Sequence, residues 1–172
     1  SINALQRTPL TIYRPTLEVM LQAWQKGIAI GSLPSMERPA KPRKGGTDYW
    51  RRFVRWAALR RQDGMRIRTS RALAEAQDLG EKPWWSPWHM DYRGRAYPDS
   101  GSLSWCGPDH IRALACFAER APLTSKGLGY VLGEHVGLPP SWEDRERWLV
   151  ENRDLILAIA ANPLGQAPLW RD

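Results

Sequence analysis

A chain of 172 residues with 42% hydrophobic and 25% charged residues is long enough for one cored domain or two small lobes and too apolar to be disordered throughout. Its net charge of +7 is unevenly placed, with 18 Lys+Arg against 9 Asp+Glu in residues 1–100 and 7 against 9 in residues 101–172, so the first half is the part suited to a polyanion. Two cysteines, Cys106 and Cys116, exclude a disulfide scaffold and fit a reducing cytoplasm, and no apolar run of membrane length or signal peptide appears.

Ile2 to Trp24 carries helical spacing in Leu17, Leu21 and Trp24, interrupted by Pro9 and Pro15, with Gly27 as a C-terminal stop. Pro15 is expected to begin a new helix or kink an existing one. Residues 28–46, with their prolines and the basic cluster Lys41, Arg43 and Lys44, read as a mobile, solvated linker. Thr47 and Asp48 then offer an N-cap for a helix in which Trp50, Phe53, Val54 and Ala57 share one face and Arg51, Arg52 and Arg55 the other. Gly64 is expected to end it, and Thr69 or Ser70 to cap a second helix that stops at Gly80, making a helical hairpin over 47–82.

Residues 38–71 hold 12 Lys+Arg against 2 Asp+Glu. A basic helix can simply be solvated, but this density favours a surface that tracks phosphates.

Pro83 to Trp105 has the aromatic, alternating character of short strands, and Pro98-Asp99-Ser100-Gly101 suits a type I turn. After Gly107, Pro108 and Asp109 suit a helix start whose buried side is Ile111, Leu114, Ala115 and Ala118. Thr124 opens another helix through Tyr130, Val131 and Leu132, and Ser141 with Asp144 starts a longer one that ends before Asn162-Pro163. The expected fold is mainly α and multihelical, with a small antiparallel β hairpin or meander around residues 84–106.

The centre of the chain is PWWSPWHMDYRGRAY, Pro83 to Tyr97. Arg93 and Arg95 flank Gly94, so two rigid guanidinium forks sit beside a residue that permits close backbone approach. Asp91 is placed to hold an arginine side chain in one rotamer. These five residues fit a phosphate contact or, equally, an exposed arginine pair in a turn with a surface salt bridge.

PWHMDYRGRAY, then GPDHIRALACFAERAPL, then ERWLVENRDLILAIAANPL, preceded by INALQRTPLTIYRPTLEVM, resemble in order and spacing the single-subunit DNA-directed RNA polymerases of bacteriophages and mitochondria. The opening is similar to that family's INxxQNTxWxIN helix, and Asp91 to Arg95 is similar to its DxxGR motif. The pattern departs from the family at SLSWCG, where asparagine-proline-glutamine-glycine is usual, and at EHVGLPPSW, where HxANxxGxDK is shortened.

The resemblance implies a helix closing an N-terminal region at 1–27, a linker at 28–46, a thumb-like basic hairpin at 47–82, palm strands at 83–106 and a helical palm insertion at 107–172. It implies nucleic-acid contacts at Asp91, Arg93, Gly94, Arg95, Tyr97, Arg66, Arg68 and Arg112, although a solvent-facing role for Arg112 fits as well. The implied partners are the DNA template, the RNA:DNA hybrid and the remaining polymerase domains, with no membrane. The chain, starting at Ser1 without methionine, is expected to be a piece of a longer polypeptide. Host bacterial cytoplasm is the expected location for a phage-encoded parent, and a mitochondrion the alternative.

Nucleotidyl transfer needs two carboxylates holding paired magnesium ions. In the family these lie downstream of the matched region, so no catalytic residue and no cofactor is expected within this chain, and Mg belongs to the full-length polymerase. Cys106, His110 and Cys116 lack a fourth ligand for a structural zinc site and read as two thiols and a surface histidine. Gly127, Gly129 and Gly133 match no nucleotide-binding fingerprint and read as helix packing. His89 reads as a neighbour that shapes the arginine loop. A second functional reading is a stand-alone basic nucleic-acid-binding protein. A third, a protein-interaction module, predicts salt-insensitive binding and conflicts with the basic stretch.

Overall fold

The computed structural model describes residues 2–99 and 101–166. The turn expected at 98–101 includes Ser100 and the helical segment expected at 107–172 includes 167–172, so both lie partly outside the described residues. The chain is mainly α, with two small two-stranded antiparallel sheets. It forms two compact units, one reaching Ala118 and one beginning at Glu119.

In the first unit α1 (Ile2–Arg7) stops short of Pro9, which can neither donate a backbone hydrogen bond nor allow helix before it. The next element is a strand, β1 (Leu10–Ile12), where the sequence suggested only an interrupted helix. Its strand state is dictated from far along the chain: Leu10, Thr11 and Ile12 pair antiparallel with Phe117, Cys116 and Ala115 of β4 (Ala115–Phe117). On its other edge Leu10 exchanges two 2.8 Å backbone hydrogen bonds with Trp84. The helix expected to run through Ala118 is therefore corrected to a single turn, α5 (Asp109–Arg112), before β4. Pairing with β1 outweighs the helical spacing of the ALACFA segment.

Pro15 does sit in the first turn of α2 (Arg14–Lys26), which Gly27 closes in the left-handed conformation at φ 67°, its N–H reaching Ala23 and Trp24 carbonyls. Next come α3 (Tyr49–Arg61) and α4 (Asp63–Leu79), joined at Gln62 alone. Gly64 thus lies inside α4 and Thr69 in its middle, not at a boundary. Thr69, Ala72, Leu73 and Ala76 form the buried stripe of α4 at helical spacing. The small side chains at Ala72 and Ala76, both fully buried, let Ile12, Leu17, Leu103, Ile111 and Leu114 close into one core around it.

Residues 28–46 contain no regular element, yet their first half is not a free linker. Leu33 is buried at 5% exposure, Ser35 N–H donates to Gln62 Oε1 at 3.1 Å, and Arg66 grips the Ser35 and Glu37 carbonyls.

His110 is a core residue, correcting its reading as a surface histidine. Its Nδ1 lies 2.9 Å from Ser32 Oγ and its Nε2 2.9 Å from Thr69 Oγ1, so one neutral ring ties residues 28–46, α4 and α5 together with one nitrogen donating and the other accepting. Burial pushes its pKa below the usual value, with the Asp109 carboxylate opposing. Because the folded pKa is lowered, the unfolded chain takes up the proton first, and this group's stabilisation is present above about pH 6.5 and lost as pH falls below it. Denaturant titrations are expected to show first-unit stability falling below about pH 6.5 with a slope of at most about 1.4 kcal/mol per pH unit from this residue. His110→Gln should remove that component.

The second unit holds α6 (Ser125–His135), α7 (Trp142–Glu151) and α8 (Arg153–Ala161). Its caps lie where the sequence put them: Thr124 Oγ1 accepts from Gly127 N–H at 3.1 Å and Ser141 Oγ from Asp144 N–H at 3.4 Å. The longer helix expected after Ser141 is broken at Asn152 into α7 and α8, which stops before Asn162-Pro163. Glycines build the α6–α7 contact, as expected. A Cβ on Gly129 would sit 2.8 Å from the Trp142 ring, and one on Gly133 would sit 2.9 Å from the stem of Arg145. No helix among the described residues is long and apolar enough to cross a membrane.

Candidate nucleic-acid interface

The strands β2 (Trp88–Met90) and β3 (Ala96–Pro98) form the hairpin expected within residues 84–106, in the register Trp88–Pro98, His89–Tyr97 and Met90–Ala96. Its loop is Asp91 to Arg95. The Asp91 carbonyl accepts from Gly94 N–H at 3.0 Å, Asp91 N–H donates to the Arg95 carbonyl at 2.9 Å, and Gly94 takes φ 78°. This is the pattern of a tight turn closed by a left-handed glycine, as in a three-residue hairpin loop with a bulge. Gly94 is required by its backbone angle.

Asp91 is the organiser of the loop, acting on the backbone. Its Oδ1 accepts from both Arg93 N–H and Arg95 N–H at 2.9 Å, while its Oδ2 lies 3.6 Å from Arg93 Nε. The carboxylate fixes the turn, and the expected rotamer clamp is confined to one long contact with Arg93. Arg93 lies over the Tyr92 ring, 5.1 Å from its centroid, a cation–π arrangement. The exposed Arg95 guanidinium has no protein partner among the described residues. Tyr97 stacks on His89 across the strand pair, with ring centroids 6.1 Å apart and planes at 30°. The hairpin is anchored to α1 through Gln6 Nε2, which donates to the Trp88 carbonyl at 3.1 Å.

The other residues singled out from the sequence differ in fate. Arg68, exposed on α4, lines an open cleft of about 200 Å³ with Gly101, Ser102, Ser104, Cys106, Gly107 and Ile111. Arg112 on α5 is exposed but ion-paired with Asp109. Arg66 is a correction. With 2% side-chain exposure it donates to Asp63 Oδ1 at 2.6 Å, Ser35 O at 2.6 Å and Glu37 O at 3.0 Å, so every face of its guanidinium is spent within the protein and none can reach a phosphate.

Sequence reasoning passed over Tyr92, whose side chain is 91% exposed at the loop tip; its signal was an aromatic residue inside the Asp91–Arg95 motif. It also placed Trp50 and Val54 on one apolar face with Phe53 and Ala57; in the structure they are 71% and 64% exposed. Phe53 and Trp56 are the partly covered side of α3, and no residue of that helix is fully buried.

Chemically, the loop offers two cationic forks and an aromatic face on a rigid turn, a set that binds anions and flat rings. No three His, Cys, Asp or Glu side chains converge among the described residues. Cys106 and Cys116 are not joined in a disulfide, the Cys116 thiol donates to the Thr11 carbonyl at 3.6 Å, and both ring nitrogens of His110 are taken.

No protein-family model matches the chain. It is 26% identical over 183 residues to the mitochondrial DNA-directed RNA polymerase of Neurospora crassa, an alignment that covers 98% of this chain and 13% of that protein. The DNA-directed RNA polymerase of Enterobacteria phage K11 is 30% identical over 186 residues, covering 96% of this chain and 20% of the phage protein. The chloroplastic DNA-directed RNA polymerase 3 of Nicotiana sylvestris is 29% identical over 185 residues, with 99% and 19% covered. The chain is homologous, along nearly all of its length, to one segment of the single-subunit, phage- and mitochondrial-type DNA-directed RNA polymerases. It spans a fifth or less of those relatives.

Proposed function

We propose that this segment holds the DNA template and RNA:DNA hybrid in a single-subunit DNA-directed RNA polymerase, whose full-length parent carries out template-directed nucleotidyl transfer with magnesium bound outside the segment. The observation that carries the reading is the Asp91–Arg95 loop, a rigid turn with an Arg95 guanidinium that has no partner among the described residues, an exposed Arg93 guanidinium over the Tyr92 ring, and Tyr92 itself projecting beside them. Phosphate contacts fix position along a strand without reading sequence, which is what holding a moving hybrid requires. In this scheme residues 47–82 act as a thumb, 83–106 as the first palm strands and 107–172 as a palm insertion. The fingers and the rest of the palm are the protein partners, and the location is cytoplasmic or mitochondrial according to the source of the parent.

The test is Arg95→Ala, measured on an RNA:DNA hybrid by anisotropy across a salt series. Losing one charge-assisted phosphate contact is expected to weaken binding by roughly 1.5 to 3 kcal/mol. The log–log salt slope should fall by about 0.7 to 0.9. Because the Arg95 guanidinium has no partner among the described residues, the thermal transition should not move. Unchanged affinity and slope would remove Arg95 from the interface.

A further inference from the structure

The outer face of α3 carries a surface that the Asp91–Arg95 loop does not account for. Trp50, Val54 and Arg61 fall on one stripe at helical spacing, and Trp50 and Val54 are 71% and 64% exposed. An apolar stripe this open on a helix with no buried residue is a surface waiting for an occupant. Charge says which kind. α3 contains five arginines and no acidic residue. Arg55 is held by Glu37 at 2.8 Å and Arg60 by Asp63 at 3.1 Å, while Arg51 and Arg61, which flank the stripe and lie at its far end, have no partner among the described residues. A protein surface covering this stripe would have to neutralise those guanidiniums or strand them. A polyanion with flat bases satisfies both halves of the surface at once.

The indole is also pre-set. Trp50 packs edge-on against Tyr49 and Phe53, with centroids 5.2 and 6.1 Å away, and these contacts restrict its ring while leaving most of it in solvent. Lys41 lies 5.5 Å over the neighbouring Trp56, adding cationic charge to the same aromatic cluster. Trp50 and Arg61 stand about 16 Å apart along the helix axis, a span of a few nucleotides.

We infer that the α3 stripe is a single-stranded nucleic-acid track, in which a base stacks on Trp50 while phosphates meet Arg51 and Arg61. This rests on the nucleic-acid-holding reading and adds to it a second contact, made with an unpaired strand through its bases.

The experiment uses the 172-residue chain with two fluorescent oligonucleotides of about twelve nucleotides, one oligo(dT) and one abasic with the same phosphates. Trp50→Ala should weaken oligo(dT) binding about tenfold or more and leave abasic binding unchanged, and Trp50→Phe should retain most of the affinity. On the unmodified chain, irradiation of an oligonucleotide containing iododeoxyuridine should give a cross-linked peptide containing Trp50, a readout independent of any variant's folding. Equal losses on both oligonucleotides, or no loss together with a cross-link elsewhere, would overturn the inference and leave the stripe to a protein neighbour. If Arg95→Ala still weakened hybrid binding in that case, the hybrid-holding reading would survive alone. Failure of the unmodified chain to bind either oligonucleotide or hybrid would overturn both.

Discussion

Arg66→Ala is expected to destabilise the first unit by about 3 kcal/mol while leaving the hybrid affinity of the folded molecules unchanged. Its guanidinium is buried to 2% exposure and makes three hydrogen bonds, two to backbone carbonyls of Ser35 and Glu37 and one to Asp63. Asp63 is the least affected partner, because it is 32% exposed and keeps Arg60 at 3.1 Å and Arg38 at 4.0 Å. The cost therefore falls on the two carbonyls, which pin residues 35–37 to α4 and lose their donors together. Amide exchange in α4 and around Ser35 should accelerate about a hundredfold, the equivalent of that free energy. Arg66→Lys should recover only part of the loss, since an ammonium cannot span three acceptors lying around a planar fork. The contrast with Arg95→Ala is the informative comparison: one arginine moves stability without affinity, the other affinity without stability. A stable Arg66→Ala protein with weakened hybrid binding would reverse the assignment.

Both arginines look alike in the sequence, which explains how far it could be read. Local signals survived into the structure. Pro15, Gly27, Thr124, Ser141 and the Asp91–Gly94 loop each act through a few adjacent residues, and each fixes the start, stop or turn that its chemistry dictates. What escaped was set by distant partners. β1 is a strand because Ala115–Phe117 lies beside it, and the ALACFA segment leaves the helix for the same reason. His110 is buried because Ser32 and Thr69 come to its two nitrogens from other parts of the chain. Helical spacing identified the amphipathic pattern of α3 but could not choose between neighbouring faces; Phe53 and Trp56 are partly covered, and Trp50 stays outside. The candidate loop was legible because its chemistry is local, whereas Arg66 was assigned to phosphate because nothing in its sequence neighbourhood announces Ser35 and Glu37.

The second unit offers the sharpest steric test. Gly133→Val is expected to destabilise α6 and α7 by roughly 3 kcal/mol, against a general expectation that replacing a mid-helix glycine favours the helix by up to about 1 kcal/mol. The reason is the stem of Arg145. A Cβ at position 133 would lie 2.9 Å from both Cγ and Cδ of that side chain and 3.1 Å from its Nε, and the branched side chain adds two more carbons in the same space. Arg145 cannot simply swing aside. It is 4% exposed, donates to the Pro139 carbonyl at 2.9 Å, the Tyr130 carbonyl at 3.1 Å and Glu134 Oε2 at 3.2 Å, and lies 4.8 Å from the centre of the Tyr130 ring. Moving it strips the Pro139 and Tyr130 carbonyls of their donor and unpairs a buried guanidinium, so the clash converts into lost hydrogen bonds instead of relaxing. Hydrogen exchange read peptide by peptide should show α6 and α7 accelerating about a hundredfold while α4 is unmoved, and Val131→Ala, at a position 55% exposed, should leave both nearly unchanged. A protected α6 in Gly133→Val would mean that Arg145 has another place to go and that the glycine is there for some reason other than this contact.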